Sequence, residues 1–591
     1  METQLTGPTI SALLGDNATR RGEKTAYTFL DNGHDESRTL TYRQLDEAAR
    51  AVAVRLLESV RPGGRAMILA AGGADFVTAF MACQHAGVIA VPVAPPQPPR
   101  DPRKAATLRA IAQDSGAEVV LTGSATDLRT PVCEVAPELG ALEWIDVDTI
   151  APSAAAGFRA PAIASEDISF LQYTSGSTSL PKGVMVSHRA LLRNEEMFAH
   201  IMGLGSEDVI VSWLPLYHDM GLIGMVLQNL YLGAHIVMMP PLAFVQRPSR
   251  WLRAITRYRA TFTGAPDFAY DACVRRIREE DRAEFDLSSL RVAFSGAEPI
   301  RTATLESFAK AYTPYGLDPG ALMCAYGLAE ATLVATGTVA GQGPTTLPVD
   351  REALRGGRIV PGTDHLIVGV GKPRLSREVL IVDPETLARC EPGRIGEIWL
   401  AGADIPPGYW RNPGATEETY RAYTSDSGAG PYLRTGDLGG LYDGELYITG
   451  RLKDLVIVGG RNHYPQDIEA TAEAAHPWVR YNSSAAFAVE RDGREQVALV
   501  VEVLRPQGAR RHTGSGERAP VPTLAQIKRA VTAAVAAEHG IQLADVHMVV
   551  PGSVARTSSG KIQRRANRAA YESGRFTPAP EPANRALGRT A

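Results

Sequence analysis

Cysteine is scarce in this 591-residue chain: Cys83, Cys133, Cys273, Cys324 and Cys390 are scattered, with no paired spacing. That excludes a disulfide-stapled scaffold and a zinc site built from cysteine pairs, and it leads us to expect a reduced compartment, the cytoplasm. Charge of one sign is also lacking. Lys and Arg total 61 against 65 Asp and Glu, for a net charge of −4. Such a balance gives no broad attraction to nucleic acid or to an anionic membrane. Basic residues cluster only briefly, at Arg505–Arg518 and Arg564–Arg568. Long apolar runs are missing: Ala66–Ala74 and Met220–Leu227 are the longest, far short of the roughly 20 residues a spanning helix needs. Met1-Glu2-Thr3-Gln4 has no basic-then-apolar signal pattern. Internal repeats are absent. What remains is 45% hydrophobic and 21% charged, the composition of a globular protein rather than a disordered or fibrous one. At about 100–200 residues per domain, the length implies several domains.

The first third alternates helix and strand patterns. Leu40–Leu57 is helical in its apolar spacing, Arg65–Ala71 strand-like, Ala74–Ala86 helical and Val88–Val93 strand-like. After the break Pro95–Pro102 come a helix at Lys104–Ser115 and a strand at Glu118–Leu121. The alternation resumes with Arg247–Arg257, Phe262 onward, Arg291–Ser295 and Ile300–Ala311. This pattern predicts parallel, doubly wound α/β sheets. From about Arg377 the texture turns β-rich (Glu378–Val382, Glu397–Leu400, Glu445–Thr449). The section Arg451–Tyr571 mixes helix and strand as a small α+β domain. The expected fold class is therefore α/β: a large N-terminal domain (1–450) of doubly wound subdomains plus a β-rich subdomain, and a small mobile α+β C-terminal domain (451–571). Arg505–Pro522, rich in Gly and Arg, reads as a mobile loop, and 572–591, rich in Pro, Ala and Arg, as a disordered tail.

One stretch carries chemistry on its face: Thr174-Ser175-Gly176-Ser177-Thr178-Ser179-Leu180-Pro181-Lys182-Gly183, between the strand patterns Ile168–Tyr173 and Val184–Ser187. Small residues let backbone N–H groups approach a ligand, hydroxyls add donors, and Lys182 adds charge, which together suit a polyphosphate. It is not a Walker A loop, because Pro181 precedes Lys182 and Gly183 follows it.

This decapeptide resembles the signature of the adenylate-forming superfamily: acyl-CoA synthetases, adenylation domains of peptide synthetases, and luciferases. Four further strings match that family's motifs in order. They are Tyr326-Gly327-Leu328-Ala329-Glu330, Leu433-Arg434-Thr435-Gly436-Asp437, Gly450-Arg451-Leu452-Lys453-Asp454 and Ser559-Gly560-Lys561. The resemblance covers about residues 30–570. It departs from common members at Leu433, where Tyr is frequent, at Cys324, at Ala555 and at Gly459-Gly460. None of these departures removes a reacting group.

The resemblance implies that a carboxylate and ATP give an acyl-adenylate and pyrophosphate, with ATP and Mg²⁺ as cofactors. Two anions must be brought together in line, so the site must neutralise charge. On this reading Ser175, Gly176, Ser177, Thr178 and Lys182 would hold the β- and γ-phosphates, and Thr174 would assist at the α-phosphate. Glu330 would bind the metal. Tyr326 would stack on adenine, beside Gly327, against the turn Gly296-Ala297-Glu298. Asp437 would accept the ribose hydroxyls, with Arg451 in support. Lys561 would bridge carboxylate and α-phosphate as a catalytic residue, and Lys453 would be the hinge about which the small domain turns.

Three features resemble the fatty acyl-AMP ligase branch. These are Trp213-Leu214-Pro215-Leu216-Tyr217-His218-Asp219-Met220-Gly221-Leu222, the string Arg461-Asn462-His463-Tyr464-Pro465-Gln466-Asp467-Ile468-Glu469, and the long stretch between Glu330 and Glu378. In that branch the added segment is thought to restrain domain rotation, and the acyl group goes to the phosphopantetheine thiol of an acyl carrier protein. The resemblance places His218 near the substrate carboxylate as a third catalytic candidate. The apolar run Gly221–Leu227 reads equally well as an acyl-binding wall, through Gly221, Leu222, Gly224 and Met225, or as a core helix. The implied partners are a fatty acid and a carrier protein, with no nucleic acid and no membrane insertion. Rival readings are an acyl-CoA synthetase, an amino-acid-activating domain, and a catalytically silent nucleotide- or lipid-binding protein.

Overall fold

The computed structural model describes residues 9–174, 181–458, 461–491, 494–504, 521–557 and 560–581. Two sheets form the body of the large domain. The first has six strands in the order Glu143–Asp146, Val119–Thr122, Arg65–Ile68, Ile89–Pro92, Ile168–Thr174, Lys182–Ser187. All its neighbours are parallel except the last pair, an antiparallel ladder in which Thr174 faces Lys182. The second has eight strands, ordered Val334–Gly337, Leu322–Gly327, Val292–Ser295, Phe262–Ala265, Val209–Ser212, His235–Met238, Thr25–Phe29, Arg38–Thr41. Only its two edge pairs are antiparallel. Strands such as Val119–Thr122 and Val292–Ser295 are buried at every position, as parallel strands covered on both faces must be.

Helices fill the faces. Helix Tyr42–Ser59 starts at a reciprocal cap: Gln44 N donates to Thr41 Oγ1 (3.2 Å) and Thr41 N donates to Gln44 Oε1 (2.9 Å). Helix Gly73–Ala86 is apolar on nearly all sides and is buried from Ala74 onward except at Asp75. Phe76 and Phe80 belong to a core that runs through both sheets, and burying such a side chain stabilises by roughly 1.5–3 kcal/mol. The expected α/β architecture is therefore present. Strands Thr25–Phe29, Val209–Ser212, His235–Met238 and Leu543–Val549 are additional to those read from the sequence.

The β-rich subdomain is a four-stranded antiparallel sheet, Glu378–Val382, Gly396–Ala401, Leu433–Tyr442, Glu445–Arg451. Its last strand runs one residue past the expected boundary, ending on Arg451 opposite Asp437. The small domain beyond it has a three-stranded sheet, Val479–Arg491, Arg494–Val503, Leu543–Val549, covered by helices Pro465–Ala475 and Leu524–His539. The added segment forms its own ribbon, Thr346–Val349 paired with His365–Val368, with helix Arg351–Arg355 between them.

The tail expectation needs correcting in its first ten residues. Ala579 N donates to Met548 O (2.9 Å) and Val550 N to Thr577 O (3.3 Å). Phe576 packs on the small domain's second apolar cluster. Pairing with an open strand edge uses backbone groups that any sequence possesses, so a Pro- and Ala-rich composition did not forbid it. Residues 582–591 and most of the Arg505–Pro522 loop lie outside the described residues. No helix among the described residues is long and apolar enough to cross a membrane.

Candidate active site

The site lies where the C-terminal ends of the central strands, the β-rich subdomain and the small domain meet. Strand Lys182–Ser187 delivers Lys182, and the loop ending at Trp410 pairs beside it: Trp410 N donates to Gly183 O (2.7 Å) and Val184 bridges to Tyr409. The Lys182 ammonium therefore sits 4.9 Å from the centre of the Tyr409 ring. The Tyr409 hydroxyl in turn donates to Glu330 Oε1 (3.0 Å). Burial pushes the Glu330 carboxyl above its ordinary value, against the Tyr409 hydrogen bond and Arg451. Thr174 occupies the end of the partner strand. Ser175, Gly176, Ser177 and Thr178 lie outside the described residues.

Opposite this, strand Leu322–Gly327 carries Tyr326, which is 9% exposed, and strand Leu433–Tyr442 carries Asp437. The Tyr326 hydroxyl donates to Asp437 Oδ2 (2.8 Å), and Arg451 Nε donates to Asp437 Oδ1 (3.0 Å). The three residues expected at adenine and ribose are thus joined directly. Gly327 has no room for a side chain, since a Cβ there would meet Leu333 O at 1.9 Å. The facing turn is strained. Ala297 holds φ at 66°, a left-handed conformation that alanine rarely adopts and that clusters at functional sites. Beside it, Gly296 follows the strand end, and Glu298 Oε1 accepts from Phe268 N (2.7 Å).

His218 Nδ1 lies 2.6 Å from Asp219 Oδ1. Burial would raise the Asp219 carboxyl, but His218, Lys561 and the Met220 N–H together outweigh it and hold the group down at about 2. The small domain presents Lys561 to this same space. Burial lowers the Lys561 ammonium from its ordinary value, opposed by Asp219, Glu298 and Asp437. A tight turn aims it: Lys561 N donates to Thr557 Oγ1 (3.0 Å), Thr557 N to Lys561 O (2.8 Å), and Arg556 Nη1 to Gly560 O (2.7 Å). Gly560 takes φ of 91°, which favours glycine.

One expectation lands elsewhere. Gly221 and Gly224 leave no room for an alkyl chain, because Pro215 O would lie 2.1 Å from a Cβ on the first and Leu333 Cδ2 3.1 Å from one on the second. Leu222–Leu227 is instead a wholly buried π-helical turn, a form enriched at functional sites. Lys453 is exposed in the turn after Arg451, and its neighbour Asp454 pairs with Arg564 (3.0 Å). Sequence reasoning missed Tyr409. Its one signal was the turn Pro406-Pro407-Gly408 just before it. Beneath the site Arg377 and Asp404 form a buried pair (2.5 Å), which Asn194 Nδ2 joins at 2.6 Å.

The added segment grips the small domain from the other side. Arg351 Nη1 (3.1 Å) and Arg355 Nη2 (2.9 Å) both donate to Glu538 O at the C-terminal end of helix Leu524–His539. Arg351 also pairs with the Glu538 carboxylate, and Arg461 pairs with Glu352 (2.9 Å). A cavity of about 180 Å³ lies in this interface, lined by His365, His463 and His539 among others. The Arg461–Glu469 string supplies the docking face: Tyr464 packs with Val349, Leu354 and Ile359.

A large body that gathers the residues expected at a nucleotide, closed by a small domain that brings one lysine, fits an adenylate-forming enzyme. The chain belongs to the AMP-binding enzyme family, whose model matches residues 14–410; a second model, the Disco-interacting protein 2-like AMP domain, matches 453–579. Within that family it is a fatty-acid–AMP ligase. It is 41% identical to the medium-chain-fatty-acid–[acyl-carrier-protein] ligase JamA of Moorena producens, over 96% of this chain and 95% of that protein. It is 38% identical to the long-chain-fatty-acid–AMP ligase FadD26 of Mycobacterium marinum, over 97% and 98%. Among solved structures, the fatty acyl-adenylate ligase of Legionella pneumophila in complex with acyl adenylate and pyrophosphate is 35% identical, with a TM-score of 0.75 over 99% of this chain and 98% of that one.

Proposed function

We propose that the protein activates a medium- or long-chain fatty acid with ATP and passes the acyl group to the phosphopantetheine thiol of an acyl carrier protein in the cytoplasm. The observation that carries this reading is the position of Lys561, half-buried and presented by the small domain to the charges of Asp219, Glu298, Asp437 and Arg451. In that place its ammonium offsets the repulsion between an incoming carboxylate and the α-phosphate. Asp437 and Arg451 hold the ribose, Tyr326 faces the adenine, and Lys182 with Ser175, Gly176, Ser177 and Thr178 receives the outer phosphates, Thr174 lying at the α-phosphate end. The His218–Asp219 pair orients the substrate carboxylate.

Glu330 suits Mg²⁺: it is a hard oxygen donor, and among the described residues no cluster of three metal-ligating side chains surrounds it. A lone carboxylate that shares the ion with phosphates and water is the usual arrangement for this metal. Bound Mg²⁺ would neutralise charge on the phosphates. Leu222 and Met225, on the π-helical turn, would form one wall for the acyl chain. Lys453 would be the pivot for transfer, and the Arg351–Glu538 contact favours retention of the adenylate over release to CoA.

The test is a panel of fatty acids with ATP, followed by CoA or a pantetheinylated carrier protein. Acyl-adenylate that persists with CoA and discharges to the carrier supports the assignment. Efficient acyl-CoA synthesis would move the protein to the acyl-CoA synthetases.

A further inference from the structure

Away from the reacting atoms, the two domains share a second contact. Tyr481, on the small domain's strand Val479–Arg491, lies against two guanidinium groups of the large domain. Arg275 is 4.4 Å and Arg301 is 5.2 Å from its ring centre. Its hydroxyl is 3.3 Å from Thr304 Oγ1. Each arginine is tied to its own domain, Arg275 through its side chain and Arg301 through its backbone. Arg275 pairs with Asp271 (2.7 Å), and Arg301 N donates to Asp267 Oδ1 (3.1 Å). The strand is bent to offer this ring: its register breaks between Val479 and Ser484, and Asn482 takes φ of 47°. Bulges of this kind re-aim a side chain.

From the ring, contacts lead to the lysine turn. Arg301 Nη1 reaches Glu473 Oε2 (3.3 Å), and Glu473 is 3% exposed. Its other oxygen accepts from Ser483 N (3.0 Å). Ser483 Oγ accepts from Arg556 Nη2 (3.1 Å), whose Nη1 donates to the carbonyl of Gly560. Gly560 immediately precedes Lys561.

We propose that Tyr481 is a positioning residue for adenylate formation. The Arg275–Tyr481–Arg301 stack seats the small domain, and the Glu473–Ser483–Arg556 chain passes that seating to Lys561. Two cations against one ring need no groove, so the contact fixes the approach of the domain and parts cleanly when the domain turns. The inference rests on the two-pose reading given above, in which acyl transfer follows rotation of the small domain. The stack then serves the first half-reaction and is dispensable for the second.

The test uses the full-length protein and two assays. One is fatty-acid-dependent ATP–pyrophosphate exchange. The other is transfer from chemically prepared acyl-adenylate to a pantetheinylated carrier protein. For Tyr481→Ala we expect kcat of exchange to fall about tenfold or more, with KM for ATP changed less than about twofold, and transfer unchanged or faster. Tyr481→Phe, which keeps the ring against the arginines, should retain at least about half of the exchange rate. Arg275→Gln lies wholly in the large domain and carries the test if Tyr481→Ala fails to fold; a fall of about threefold or more in exchange alone is expected. Wild-type exchange in both Tyr481→Ala and Arg275→Gln overturns the proposal. So does a parallel loss in both assays, or a Phe variant as impaired as Ala. Wild-type protein that shows no exchange with any fatty acid refutes the functional reading itself, a separate outcome.

Discussion

Replacing Arg351 and Arg355 together with alanine should loosen the small domain without touching the site. Both guanidinium groups donate to the carbonyl of Glu538 at a helix C-terminus, where cations are favoured. Their side chains are 22% and 12% exposed, and the Glu538 carboxylate is 47% exposed. A charge-assisted hydrogen bond contributes roughly 1.5–3 kcal/mol, and partial exposure reduces each of these to about 1–1.5 kcal/mol. The half-exposed carboxylate adds no more than about 0.5 kcal/mol. The sum, about 2–3 kcal/mol, shifts a two-pose equilibrium roughly 30- to 150-fold. The assay is acyl-CoA formation from fatty acid, ATP and CoA, together with protease nicking at the turn 452–455. Both should rise at least about tenfold in the double variant, while pyrophosphate exchange stays near wild type. A folded double variant with unchanged nicking and unchanged CoA transfer would refute the reasoning.

Lys561→Ala should cut pyrophosphate exchange by several orders of magnitude and leave the circular dichroism spectrum and Tm unaltered; near-normal exchange would remove the lysine from the chemistry. Asp404→Ala strands the Arg377 guanidinium, whose side chain is 0% exposed, and should cost roughly 3–5 kcal/mol in denaturant unfolding. Glu330→Gln should raise the Mg²⁺ concentration needed for half-maximal exchange, with ATP held saturating; an unchanged requirement would move the metal elsewhere. The latch should also respond to pH. Burial above all, with Arg355 next, lowers His539 from 6.5 to about 4, and burial lowers His365 and His463 too. Arg351, Arg355 and Arg461 add positive charge there, Glu352, Glu538 and Asp467 negative. A histidine kept neutral in the fold adds stability above pH 6.5 that is lost as pH falls through 4. Tm should therefore drop over that window, and His539→Gln, which can keep a hydrogen bond to Thr471, should flatten the drop.

The motif strings singled out Lys182, Glu330, Asp437, Arg451 and Lys561, which the fold draws toward one space although up to 379 positions separate them, because each sits within a recognisable local string. Contacts that depend on pairs of distant residues left no such trace. Tyr409 meets Glu330 across 79 positions, and Tyr481 meets Arg275 and Arg301 through a strand bulge that no periodicity marks. Glycine misled in the opposite direction. Gly221 suggested space for a ligand, whereas its bare Cα admits the Pro215 carbonyl. The alternation of helix and strand was legible because burial on both faces forces apolar runs. The attachment of residues 577–579 was not, because it uses only backbone.

Strand Glu445–Arg451 ends on the residue that holds Asp437, and the chain turns at the very next position. On the proposed reading, a turn of the small domain would therefore pull first on the Asp437–Arg451 pair. Swinging the small domain and loosening the ribose would then be one motion, and departure of AMP would be timed by that rotation rather than by its own affinity. An enzyme wired in this way would report its progress mechanically: while the pair is tight the activated acyl group would stay committed, and a single backbone joint would set the pace of the cycle.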